Sequence, residues 1–124
     1  MQVQTGIDII EVERIQEAIE KQGESFLKKV YTTNEIEYCS HTGKMKYQHY
    51  AARFAAKEAI FKAISSKLTK QEEDILTKIE VKNKEDGKPV ANLEALELPE
   101  IEDMDLSLSH LKDYAVASFT ILFK

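Results

Sequence analysis

Only one cysteine, Cys39, occurs in the 124 residues, so no disulfide can form within the chain. The three histidines, His41, His49 and His110, are scattered and do not combine with Cys39 at zinc-type spacing. Both absences fit a reducing cytoplasm. No apolar run is long enough to cross a bilayer, and the N-terminus has no signal-peptide apolar region, so a soluble, cytoplasmic protein without a membrane partner is expected. Positive charge is not in excess. The net charge of −5 argues against a general binder of nucleic acid or anionic membrane. Internal repeats and low-complexity stretches are also missing. A hydrophobic fraction of 43% is ordinary for a globular chain, and the length predicts one domain over residues 1–124.

The most informative stretch also lacks something, since neither Gly nor Pro interrupts residues 47–65. Alanine-rich and apolar on nearly every side, it predicts a long helix from about Tyr47 to Ser65, buried all round. Glu58 falls on the same face as Ala51, Phe54, Ala55 and Phe61, with Lys62 one turn further on. Two readings follow. Glu58 and Lys62 form an ordinary i, i+4 pair, worth about 0.3 kcal/mol. Alternatively Glu58 is a ligand, because a buried carboxylate needs a counter-charge, a metal or a proton.

Around that helix the pattern is mixed. Val3, Thr5, Ile7 and Ile9 alternate with Gln4, Gly6 and Asp8 at the period of a strand, and Gly6 leaves room beside Asp8 for a ligand or a second backbone. A helix follows, with Val12, Ile15, Ala18 and Ile19 inward and Glu13, Arg14, Glu17, Glu20 and Lys21 in water, ending at Gly23. Thr32 with Glu35 forms a capping box that opens another short helix. Residues 65–74 read as a charged loop or frayed helix end. Ile79 and Val81, the Asp86-Gly87 turn and Val90 predict a hairpin. Residues 96–105, acidic and holding Pro99, read as a surface crossing. Strands through Leu106–Ser109 and Tyr114–Phe123 close the chain. The order predicts an α+β domain whose antiparallel sheet packs on the central helix.

Three separated runs, Gly6-Ile-Asp-Ile-Ile-Glu-Val-Glu-Arg-Ile15, Arg53-Phe-Ala-Ala-Lys-Glu-Ala59 with Lys62-Ala63, and Leu106-Ser-Leu-Ser-His110 with Tyr114-Ala-Val-Ala117, resemble the bacterial holo-acyl-carrier-protein synthases, small phosphopantetheinyl transferases. The resemblance implies transfer of 4′-phosphopantetheine from coenzyme A to a serine of an acyl carrier protein, for fatty acid biosynthesis. It implies Asp8 and Glu58 as ligands of Mg2+, Glu58 and Lys62 as catalytic residues with Lys62 on the diphosphate, and Arg53, Ser109 and His110 at the nucleotide end. Proton removal falls to Glu58 or to a water on the cation, and the sequence does not choose. It further implies a homotrimer with active sites at subunit boundaries. Gly87-Lys88-Pro89 also matches the family, near the adenine end of coenzyme A. The Gly-x-Gly turn usual in the family after the long helix is missing here, so a phosphate cradle of bare amides is not expected from residues 65–74.

Physical chemistry supports the metal reading if strand and helix meet. Two carboxylates about 4 Å apart repel by on the order of 4 kcal/mol at an effective dielectric of 20, more than one lysine pair offsets. An acidic carrier protein needs a local basic patch on this acidic chain; Arg14, Lys21, Lys28 and Lys29 are candidates, Arg14 first among them. The competing functions are a magnesium-dependent pyrophosphate hydrolase and a non-catalytic α+β binding module.

Overall fold

The computed structural model describes residues 1–124. Strand β1 (Gln2–Glu11) leads into α1 (Val12–Gln22), α2 (Glu24–Val30), α3 (Thr33–Ser40) and the long α4 (Lys46–Ile64). A short α5 (Ile75–Lys78), the hairpin β2 (Glu80–Asn83) and β3 (Pro89–Asn92), and the strands β4 (Ile101–His110) and β5 (Tyr114–Phe123) complete the chain. The main sheet is antiparallel in the order β1-β5-β4, and β2 and β3 form a separate antiparallel pair. This is the expected α+β arrangement of an antiparallel sheet on a central helix.

Small side chains let α4 lie close to the sheet. Ala55, Ala59 and Ala63 on the helix are buried against Ala117, Phe119 and Ile121 of β5. Gly6 sets the approach on β1, because a Cβ there would overlap the Ala59 carbonyl oxygen. The space left by Gly6 is thus filled by a second backbone. Alternation then turns Asp8 toward the same helix as Gly6, while Ile7 and Ile9 take the opposite face. Those two isoleucines, 66% and 64% exposed, stay in water in the single chain.

Local chemistry fixes the connections. Gly23 takes φ 57° between α1 and α2, where a side chain would be strained. Thr32 and Glu35 form both halves of the capping box at the start of α3. One expectation changes. The acidic crossing over residues 96–105 gives way at Ile101 to β4, because β5 offers a partner for its backbone while Glu102, Asp103 and Asp105 stay exposed. A register shift between Ile101 and Asp103 marks the entry. The charged run after α4 is the expected frayed helix end and loop, a 3-10 turn over Ser65–Lys67 followed by irregular chain, and α5 after it is too short to show any period in sequence.

Candidate active site

Asp8, near the middle of β1, and Glu58 and Lys62, one turn apart on α4, come together where strand and helix cross. The Lys62 ammonium lies 3.1 Å from Asp8 Oδ1 and 3.0 Å from the Ile7 carbonyl oxygen, donating to both. Its i, i+4 neighbour Glu58 receives no hydrogen bond. The ordinary helix pair is therefore not what forms; the lysine reaches across to the strand instead. Glu58 is half-buried, and its carboxyl is held above the usual range, first by burial and then by the Asp8 charge, with Lys62 pulling the other way.

This donor set fits a hard divalent cation that keeps much of its own water. Two carboxylates converge, one of them holding its proton tightly through burial first and the charge of the other next. No cluster of three or more His, Cys, Asp or Glu residues exists to form a closed cage. Magnesium binds in this way, through one or two carboxylates plus substrate phosphate oxygens.

The remaining expected residues form a second group. The Arg53 guanidinium lies 4.1 Å from the Tyr38 ring centroid and donates from one terminal nitrogen to Asn83 Oδ1 at 3.0 Å, while its Nε is buried without a partner. Tyr38 meets the His49 ring edge-on at 5.6 Å, and His49 meets His110 at 5.4 Å. His110 Nδ1 lies 2.9 Å from Gln48 Oε1. Burial first, and the neighbouring His110 and Arg53 next, hold the His49 imidazole below its ordinary pKa. Ser109 is exposed at the end of β4.

No hydrogen bond or ion pair joins this group to Asp8, Glu58 and Lys62. Helix geometry explains the separation, since five residues at 100° each put Arg53 about 140° around α4 from Glu58 and about 7.5 Å along it. Arg14 is exposed on α1 and forms no hydrogen bond or ion pair with either group. Beside the hairpin, Lys88 pairs with Asp105 at 2.9 Å over a cleft of about 380 Å³ reaching Val90 and Phe119.

Sequence reasoning passed over one buried pair next to the site. Lys57, wholly buried, contacts Glu35 Oε1 at 2.6 Å and donates to the Leu76 and Ile79 carbonyls at 2.7 and 2.5 Å. Glu35 Oε2 in turn accepts from the Val81 N–H at 2.8 Å. Its signal was present. A lysine within an apolar helix requires a carboxylate, and the capping-box glutamate of α3 was there to supply it. Tyr38, Gln48, His49 and Asn83 carried no such signal, being exposed-type residues spread over α3, the start of α4 and β2.

A family model described as the 4′-phosphopantetheinyl transferase superfamily matches residues 4–118. The holo-[acyl-carrier-protein] synthase of Ruminiclostridium cellulolyticum is 45% identical over 123 residues, covering 94% of this chain and 90% of its own. That of Thermodesulfovibrio yellowstonii is 44% identical over 116 residues, covering 94% and 95%. Among solved structures, a holo-(acyl-carrier-protein) synthase from Bacillus anthracis, in complex with CoA (3',5'-ADP), has a TM-score of 0.77 at 34% identity, covering 98% of this chain and 96% of that one. With the matched region holding Asp8, Glu58 and Lys62 together at one strand–helix crossing, the chain belongs to the 4′-phosphopantetheinyl transferase superfamily.

Proposed function

We propose that this protein is a holo-acyl-carrier-protein synthase, transferring the 4′-phosphopantetheine arm of coenzyme A to a serine of an apo acyl carrier protein for fatty acid biosynthesis. The convergence of Asp8, Glu58 and Lys62 carries the reading. The serine oxygen bonds to the phosphorus that bears the pantetheine arm. The bond from that phosphorus to the bridging oxygen breaks, and adenosine 3′,5′-bisphosphate departs with the electron pair. Catalysis of such a transfer is mostly positioning and charge neutralisation.

Asp8 and Glu58 are the residues to hold Mg2+, which when bound neutralises charge on the phosphate oxygens. Lys62, half-exposed on its flexible stem, is within reach of the diphosphate and offsets charge on the leaving group. Glu58, or a water on the cation it would hold, takes the serine proton. Arg53, Ser109 and His110 take the nucleotide end, and Arg14 on the open face of α1 grips the acidic carrier.

Two observations support a homotrimer with shared sites. Val3, Ile7 and Ile9 of β1 are each more than 60% exposed on the sheet face opposite α4, next to the half-buried Val116 and Leu122 of β5. Arg53 and Glu58 also point to different sides of α4, which favours a coenzyme molecule held between neighbouring copies. Residues 1–124 act as one domain, since α4 contributes to both apolar clusters of the core. No helix is long and apolar enough to cross a membrane. The cytoplasm, where the free thiol of Cys39 stays reduced, is the compartment we assign.

The decisive experiment incubates the protein with coenzyme A, Mg2+ and an apo carrier protein and weighs the carrier intact. A gain of one phosphopantetheine group is expected, with bisphosphate released only when carrier is present. Release without carrier would identify a pyrophosphate hydrolase, and neither product would leave a binding module.

A further inference from the structure

Before any ligand arrives Asp8 is held by Lys62, a contact that gains meaning from the reading of Asp8 and Glu58 as the cation site. Lys62 reaches 3.1 Å from Asp8 Oδ1, and the Ile7 carbonyl at 3.0 Å gives its ammonium a second acceptor. The Asp8 side chain is only 16% exposed, whereas Lys62 is 53% exposed. The ammonium therefore neutralises a mostly covered carboxylate while the rest of the lysine remains free to move.

We infer that Lys62 is a built-in counter-cation that keeps Asp8 neutralised in the free protein and exchanges it for the divalent cation when a diphosphate arrives, coupling metal and coenzyme binding. A lysine ammonium and a divalent cation cannot share Asp8 without repulsion. At a separation near 5 Å, even with the dielectric of water, that repulsion weakens metal binding on the order of tenfold. A diphosphate removes the conflict because it offers the ammonium a stronger anion than Asp8. The half-exposed stem of Lys62 can swing, and beyond Asp8 and the Ile7 carbonyl no hydrogen-bond partner holds it. Linkage then requires that the coenzyme tighten the metal by the same factor by which the metal tightens the coenzyme. The exchange forms and breaks no covalent bond.

The test measures Mn2+ binding to the full-length protein by calorimetry and by the loss of the free-ion EPR signal, with and without coenzyme A and without carrier, so that no turnover occurs. Lys62→Met is expected to bind Mn2+ about tenfold more tightly than the unaltered protein when coenzyme A is absent. Coenzyme A should then tighten Mn2+ by a smaller factor in that variant. Lys62→Arg, which keeps the charge, should stay near the unaltered protein. Equal or weaker Mn2+ binding by Lys62→Met without coenzyme A overturns the exchange. Asp8→Asn and Glu58→Gln separate that failure from a failure of the cation site. If both bind Mn2+ as well as the unaltered protein does, the site itself is misassigned and the exchange falls with it.

Discussion

Ionised Glu58 opposes folding of the metal-free chain. Burial and the Asp8 charge raise its folded pKa above the unfolded value, so the folded state holds the proton more tightly. The penalty is absent below the unfolded pKa and complete above the folded one, and stability falls as pH rises between them. Glu58→Gln should therefore raise the Tm of the metal-free protein at pH 8, with the gain shrinking toward pH 4, while transfer activity drops by at least about a hundredfold. Thermal melts at the two pH values and carrier mass spectrometry check both halves; a constant Tm difference would contradict the electrostatic account. Lys57 belongs to this scale as well. Its pKa is lowered by burial, with Glu35 opposing, and all three of its ammonium donors are used. Lys57→Met strands Glu35 without its counter-charge and should cost about 3–5 kcal/mol. Replacing Glu35 with Leu in the same chain should recover part of that loss, as read from urea midpoints.

The crossing of β1 and α4 decides whether the site exists. Gly6 sits against the Ala59 carbonyl, one residue along the helix from Glu58 and two along the strand from Asp8. Gly6→Ala forces a methyl group into helix backbone, which cannot yield as a side-chain end would. A loss of about 3 kcal/mol, at the upper end for overpacking, is expected in denaturant unfolding. Any folded fraction should bind Mn2+ poorly, because the two carboxylates are pushed apart. A Gly6→Ala protein of unaltered stability would mean that helix and strand are not this close. The hairpin and α5 are tied to the same helix by a different device, the Lys57–Glu35 pair with its bonds to Leu76, Ile79 and Val81. One helix thus carries both Glu58 and the anchor of the segment beyond it.

For the whole molecule, the exposed isoleucines and the divided site make joint predictions. Ile7→Asp with Ile9→Asp leaves the inner face of the sheet untouched, and should yield a monomer by light scattering with little activity. Complementation tests the sharing directly. Arg53→Ala and Glu58→Gln proteins, each inactive, should regain activity when unfolded together and refolded, with about a quarter of the sites intact in a random mixture of two chains. No recovery would place all the machinery within one protomer.

Much of this protein was fixed locally and is legible as such. The alanine-rich run without Gly or Pro dictates α4, the capping box dictates the start of α3, and alternation dictates β1 and β5, because each depends on neighbours a few residues away. The motifs also singled out Asp8, Glu58 and Lys62, three residues that the fold brings together. Tertiary structure alone decided which charges meet. Lys62 lies one turn from Glu58 yet bonds Asp8, 54 residues away in the chain. Lys57 and Glu35 neutralise each other across elements, and the apolar side of β1 faces outward because Gly6 gives its other side to α4. The reason is range: hydrogen-bonded periodicity is set within a turn or two, whereas Coulomb pairing and close packing depend on distances that exist only after the chain has folded.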